Sequence, residues 1–315
     1  MRNFISRLLA LLKNYDMVLD LITVTYEGIR IKMENRLQFD ISRVVSDALK
    51  EDLGGQLDAS LDITAQLIPE NQTSVATVIT REDCVFCGTD CVNEVFKQLG
   101  GNVELVWHVK EGERVAPNGK LFTVSGLSRT ILTAERTCLN FVQTLSGVAT
   151  EVSKYVEKLK GSRCRLLDTR KTIPGLRNLL KYAVTVGGGH NHRIGLFDAY
   201  LIKENHIMAC GGIDKAVATA KKLNPGKKVE VEVENLEELR IAMDVGADIV
   251  MLDNFELPMM YEAAKINAGK LKLEISGNVN LDTIRTYADT GVDFISVGAI
   301  TKNVRAIDLS MRFAK

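Results

Sequence analysis

From residue 165 onward the chain repeats one pattern, a short apolar run closing on polar or small residues and then a helix-like segment. Runs of this kind fall at 165–168, 199–203, 229–234, 248–253, 272–276 and 294–298. Repeated βα units imply a parallel sheet with right-handed crossovers, since each helix must carry the chain back to begin the next parallel strand. Units this short and regular favour a barrel over an open doubly wound sheet. Six units fall short of the usual complement of about eight, so the expected α/β barrel is either incomplete or closed with help from the preceding helical segment.

Upstream the texture differs. After Asp40, the residues Ile41, Val44, Val45, Ala48 and Leu49 form one apolar helical stripe, which Gly54 and Gly55 end. Residues 75–80 read as a strand, and Val103, Leu105, Trp107 and Val109 alternate with mostly polar neighbours, the period of a half-buried strand. Trp107 reads as core and His108 as surface. These elements predict an α+β, sandwich-like N-terminal domain over 33–129 and a barrel domain over 130–302 that opens with a long helix at 130–159. A C-terminal helix over 303–315 is expected to pack back towards the first domain. Residues 1–32 read as an extension outside both. Their apolar stretch at 8–12 is too short to span a bilayer and no cleavage pattern follows it, while Met33 offers an alternative start.

Charge and cysteine content narrow the partners. The chain has 40 Lys+Arg against 40 Asp+Glu, a balance that argues against a nucleic-acid-coating surface and leaves a local cationic pocket to be sought residue by residue. Six cysteines without a secretory segment read as reduced thiols of a cytoplasmic protein with no membrane partner. Cys84, Cys87 and Cys91 lack a fourth soft ligand, so buried packing is their simplest reading.

Reactive residues of a βα barrel collect at the carboxyl ends of its strands. Here those ends read Asp168-Thr169-Arg170-Lys171-Thr172, then Gly187-Gly188-Gly189-His190-Asn191-His192-Arg193, then Lys203-Glu204-Asn205-His206. Glu230, Glu232 and Glu234 share one strand face. Asp253-Asn254, Ser276-Gly277-Asn278 and Ser296-Val297-Gly298-Ala299 close the series. Cations thus come from the early strands, acids from the middle and glycines from the last. Several Arg and Lys at one mouth call for anionic ligands. Carboxylates beside them suit Mg²⁺ with a substrate phosphate, and glycine turns after the last strands suit a phosphate group.

Seven motifs in order, Thr133 to Thr137, Asp168 to Gly175, Gly187 to Arg193, Leu201 to His206, Glu230 to Glu234, Met251 to Phe255 and Ser276 to Asn278, strongly resemble quinolinate phosphoribosyltransferases, also called nicotinate-nucleotide pyrophosphorylases (carboxylating). The resemblance runs from about residue 40 to 313 and departs at Asn278, where many members carry a second glycine. It implies a sandwich-like N-terminal domain on a shortened, open parallel α/β barrel, in a dimeric enzyme that joins quinolinate to phosphoribosyl pyrophosphate with Mg²⁺, releasing nicotinate mononucleotide, pyrophosphate and CO₂. It further implies that Arg136, Arg170, His192, Arg193 and Lys203 hold quinolinate, with Arg136 reaching the neighbouring subunit's site. Thr169 and Lys171 would lie near the phosphates, Glu232 and Asp253 would hold Mg²⁺ directly or through water, and Ser276, Gly277, Asn278, Val297, Gly298 and Ala299 would bind the 5′-phosphate. Lys171, Glu232 and Asp253 form the implied catalytic set.

Competing readings are a paralogue using nicotinate or associated with molybdenum, a Schiff-base lyase acting through Lys203, and a non-catalytic polyanion binder. His190 and His206 read as structural, Glu230 and Glu234 as supporting or solvated acids, and Gly187 to Gly189 alone as a flexible turn.

Overall fold

The structure, a computed structural model, describes residues 41–314; the expectations for 1–32 lie outside the described residues. Residues 41–52 are helical (α1), and Val45 and Leu49 are buried on it as the stripe requires. Gly54 and Gly55 take positive φ and close the helix, with the Gly55 N–H on the Lys50 carbonyl. The chain then forms β1 (Thr73–Thr80), β2 (Cys84–Val85), α2 (Thr89–Gln98), β3 (Val103–Trp107), β4 (Arg114–Val115) and β5 (Lys120–Leu127). Trp107 sits between Phe86 and Phe122 at centroid distances of 5.6 and 5.0 Å, so its ring is core as its strand parity demands.

Helix α3 (Ser128–Lys158) leads from this sheet into the barrel. The barrel comprises β6 (Arg165–Leu167), α4 (Arg177–Val186), β7 (Tyr200–Ile202), α5 (Glu204–Cys210), α6 (Ile213–Leu223), β8 (Val229–Val233), α7 (Leu236–Asp244), β9 (Ile249–Asp253), α8 (Leu257–Asn267), β10 (Lys272–Ser276), α9 (Ile284–Ala288), β11 (Phe294–Ser296) and α10 (Ala299–Lys302). Each predicted run contains one of these strands. They pair in parallel in the order β6-β11-β10-β9-β8-β7. Placing the first strand beside the last is what barrel closure requires, and β6 does not pair with β7, so the barrel is open there. His190 lies along the free edge of β6, its N–H on the Leu166 carbonyl at 2.9 Å and its own carbonyl receiving the Asp168 N–H at 3.1 Å.

The chain ends otherwise than the sequence suggests. In place of a C-terminal helix over 303–315 the structure has a strand, β12 (Leu309–Phe313), antiparallel to β1 with Ala76 opposite Phe313 and Thr80 opposite Leu309. The N-terminal sheet is therefore ordered β12-β1-β5-β3. The physical reason is non-local: β1 offers an unpaired edge, and the returning chain satisfies its backbone groups. To get there the segment crosses α3 at Gly147, where a Cβ would lie 2.1 Å from the Arg305 carbonyl oxygen. Among the described residues no helix is long and apolar enough to cross a membrane.

Candidate active site

The segment carrying His192 and Arg193 is tied down from below. Asp168, fully buried at the end of β6, accepts from the Lys181 ammonium, from the His192 N–H at 2.9 Å and from Asn191 Nδ2 at 2.6 Å. Lys181 also donates to the His192 carbonyl at 3.2 Å, and Asn191 to the Lys181 carbonyl at 2.9 Å. Burial pushes Asp168 up and Lys181 down, each opposed by its partner's charge. The glycines before this segment are close-packing residues, which corrects their reading as a flexible turn. A Cβ at Gly187 would lie 2.5 Å from the Ala149 carbonyl oxygen, and one at Gly189 would lie 2.8 Å from Val184.

Above this knot the cations are less well served. The Arg170 Nε is buried without a hydrogen-bond partner among the described residues. Burial first, and the neighbouring Arg170 charge second, push Arg193 below its usual range; its contact on the protein is the Ala199 carbonyl at 3.4 Å. Two guanidiniums are thus close enough to feel each other's charge, one with a buried nitrogen unpartnered among the described residues and the other on one long contact. Lys171 is exposed; its stem and the Thr169 hydroxyl lie against Gly298, where a Cβ would sit 2.9 Å from Lys171 Cδ and 3.3 Å from Thr169 Oγ1. The Thr301 hydroxyl donates to the Lys171 carbonyl at 2.8 Å. Lys171 and the turn at Val297, Gly298 and Ala299 therefore meet, although 126 positions separate Lys171 from Val297.

Across the mouth, the Lys203 ammonium pairs with Glu232, and Asp253 accepts from Asn254 Nδ2 at 2.9 Å. Glu232 and Asp253 close adjacent strands β8 and β9. Ser276 accepts the Asn254 N–H at 3.1 Å on its carbonyl. Gly277 has φ 96° and a Cβ there would lie 2.2 Å from Asn254 Oδ1, so only glycine fits. Asn278 has φ 52°, a left-handed conformation that asparagine adopts more readily than other side chains. His206 is structural as expected, its Nδ1 accepting the Lys203 N–H at 3.1 Å.

His192 differs from its expected role. Its Nδ1 accepts the Arg193 N–H at 2.7 Å, and its Nε2 lies 2.9 Å from Glu230 and 3.5 Å from Glu274. Burial disfavours the charged ring, but the Glu230 hydrogen bond and the Glu274 charge outweigh it and push His192 up. The ring thus lies against the buried Glu230 of β8 and Glu274 of β10. Glu234, by contrast, is exposed. Arg136 is exposed on α3 and has no side-chain partner among the described residues.

Sequence reasoning passed over Lys181 and Glu274. A lysine inside the apolar stripe Leu179, Leu180, Ala183 and Val184, and a glutamate between the buried Leu273 and Ile275, were the available signals. The Cys84, Cys87 and Cys91 thiols are free and buried, and burial pushes each up, as packing residues should behave.

Residues 62–146 match the family described as quinolinate phosphoribosyl transferase, N-terminal domain, and residues 148–312 match its C-terminal domain. The probable nicotinate-nucleotide pyrophosphorylase (carboxylating) of Bacillus subtilis (strain 168) is 37% identical over 278 residues, which cover 88% of this chain and 94% of that protein. The nicotinate-nucleotide pyrophosphorylase (carboxylating) of Mycobacterium leprae (strain TN) is 38% identical, covering 87% of this chain and 98% of that one. The solved structure of the nicotinate-nucleotide pyrophosphorylase from Francisella tularensis superposes with a TM-score of 0.84 at 52% identity, covering 88% of this chain and 97% of that chain. With both family domains in order along one barrel and its N-terminal sheet, the chain belongs to the quinolinate phosphoribosyltransferase family.

Proposed function

We propose that the barrel mouth grips quinolinate through Arg170 and Arg193 and receives phosphoribosyl pyrophosphate between Lys171, the Val297–Ala299 turn and the acids Glu232 and Asp253. The activity is that of the family: the phosphoribosyl group passes to the pyridine nitrogen of quinolinate, giving nicotinate mononucleotide, pyrophosphate and CO₂ in NAD biosynthesis. The observation that carries the assignment is the pair of guanidiniums without sufficient acceptors, Arg170 with its buried Nε unpartnered and Arg193 held below its usual range. Such a pair suits a planar dicarboxylate, whose oxygens match the guanidinium fork.

Lys203, paired with Glu232 in the ligand-free protein, would complete the grip on the dicarboxylate. The Glu232 and Asp253 carboxylates, hard oxygen donors on neighbouring strand ends, fit Mg²⁺ bound directly or through water together with substrate phosphates. When bound, Mg²⁺ would neutralise charge gathering on the departing pyrophosphate. Lys171 would stabilise the same charge from the other side, while the first N–H groups of α10 and the turn at Ser276, Gly277 and Asn278 would hold the 5′-phosphate. As pyrophosphate leaves, C1 of the ribose gains cationic character and the ring nitrogen bonds to it. The alkylated ring is then positive beside the C2 carboxylate; CO₂ departs, leaving its electron pair on C2, which takes up a proton. The protein orients two mutually repelling anions and keeps water from C1. His192, whose ring nitrogens are both engaged by protein, shapes the floor beneath the grip.

The same reading includes a homodimer in which Arg136 enters the neighbouring site. It is supported by the exposure of Arg136 and by the apolar side chains Ile63, Leu67, Leu196, Phe197 and Met208 open to solvent. Free thiols throughout support a cytoplasmic setting.

The test is turnover of quinolinate and of nicotinate with phosphoribosyl pyrophosphate, with and without Mg²⁺, followed by CO₂ and mononucleotide. Nicotinate, lacking the C2 carboxylate, leaves the guanidiniums unpaired and should fall behind by about 10³-fold or more in kcat/KM. Equal turnover of the two acids would remove the assignment.

A further inference from the structure

Beneath the grip the barrel interior holds an acid that the reaction does not use. Glu274 on β10 is fully buried beside the Ser296 hydroxyl, and among the described residues neither of its carboxyl oxygens has a well-formed hydrogen bond; the Glu230 Oε1 beside it lacks one as well. Glu230, Glu274 and His192 bring one ligand atom each within 4.8 Å of one another. That spacing would suit a metal ion, but the ring of His192 decides otherwise. Glu230 and Glu274 push the ring up, but the Arg193 N–H points at Nδ1 from 2.7 Å and leaves no room for a second ring proton, so Nδ1 presents its lone pair and the single ring proton sits on Nε2, aimed at Glu230. A metal on Nε2 would require an imidazolate, and a second ring proton would clash with the Arg193 N–H.

The remaining gap is between two carboxyl groups. Two buried acids in contact cannot both ionise without a cation between them. Glu230 receives the Nε2–H at 2.9 Å, whereas Glu274 lies 3.5 Å from that nitrogen with only the Ser296 hydroxyl beside it, so Glu274 is the acid that keeps its proton. Burial first, then the Glu230 charge, push its carboxyl up to about 8.

We propose that Glu274 is a positioning residue, a neutral carboxylic acid that donates to Glu230, thereby holds His192 as the Nε2–H tautomer and, through Nδ1, fixes the backbone at Arg193. The chain of contacts runs from β10 across the interior to β8 and then to the loop that presents a guanidinium to substrate. The inference rests on Arg193 gripping the dicarboxylate, but its tautomer half stands apart from that reading.

Steady-state kinetics of Glu274→Gln and Glu274→Ala, with each substrate varied, test the positioning, and ¹⁵N-histidine NMR of the unsubstituted protein tests the tautomer. Gln keeps a neutral donor, so Glu274→Gln should hold the quinolinate KM within about twofold of the unsubstituted value, whereas Glu274→Ala should raise it about tenfold with the phosphoribosyl pyrophosphate KM unmoved. The His192 resonances should show a protonated Nε2 and a bare Nδ1. A Gln variant as damaged as the Ala variant, an Ala variant that raises both KM values alike or neither, or a His192 ring protonated at Nδ1 would each overturn the proposal. If Glu274→Ala does not fold, the Gln variant and the NMR measurement decide it alone. Unchanged quinolinate affinity in Arg193→Ala would instead sink the substrate reading and leave the tautomer result to stand by itself.

Discussion

Two charged clusters lie one above the other at the end of β6, and they are built on opposite principles. Asp168 meets the Lys181 ammonium, the His192 N–H and the Asn191 amide, so its charge is fully answered within the chain. Arg170 and Arg193 are not: one has a buried nitrogen without an acceptor, and the other is pushed down by burial and by its neighbour's charge. A buried charge that is satisfied internally holds structure, and breaking it leaves its partner exposed to the full desolvation cost. A charge left short of partners is a standing cost to the ligand-free fold, which a ligand of opposite sign removes.

Removing an acid from the satisfied cluster should be the most damaging change. Asp168→Ala leaves Lys181 buried and unpaired and frees the His192 segment. It should cost about 3–5 kcal/mol of stability, read as the denaturation midpoint in urea. A loss below about 1 kcal/mol would erase the distinction between the clusters.

The unsatisfied cluster should behave in the reverse sense. Arg170→Ala should weaken quinolinate binding by about 100-fold, or about 2.7 kcal/mol, while leaving the unfolding midpoint unchanged or slightly raised. Calorimetric titration with quinolinate and a thermal melt on one sample give both quantities. A variant that loses stability without losing affinity would place Arg170 with Asp168 among the structural charges.

The smallest effect sharpens the comparison by adding a cation from outside the barrel. Arg136→Ala and Arg170→Ala proteins, each nearly inactive, should recover towards about a quarter of full activity when their subunits exchange at random, because half of the dimers are mixed and half of their sites carry neither change. No recovery after verified exchange would confine Arg136 to its own chain.

Much of this was legible beforehand, and unevenly so. The six barrel strands, the long helix and the cation-acid-glycine order around the mouth were readable because each rests on local periodicity or on position at a strand end. Val229–Val233 alternates by parity alone, and that parity sends Glu230 inward with Glu232. The last strand was misread as a helix although Leu309, Met311 and Phe313 alternate with Ser310 and Arg312. Five residues are too few for periodicity to decide between helix and strand, and the unpaired edge of β1 decided it.

What the sequence determined by itself was therefore the set of chemical groups and the faces they share: which residues end strands, which stripes must be buried and which turns require glycine. Only the tertiary structure decided which groups meet. It brought Lys181 onto Asp168, set the ring of His192 on Glu230 with Glu274 beside them and seated Lys171 on Gly298. Those pairings join residues 13 to 127 positions apart. Contacts at such separations depend on barrel closure and on the direction of each side chain, neither of which leaves a periodic trace in the chain.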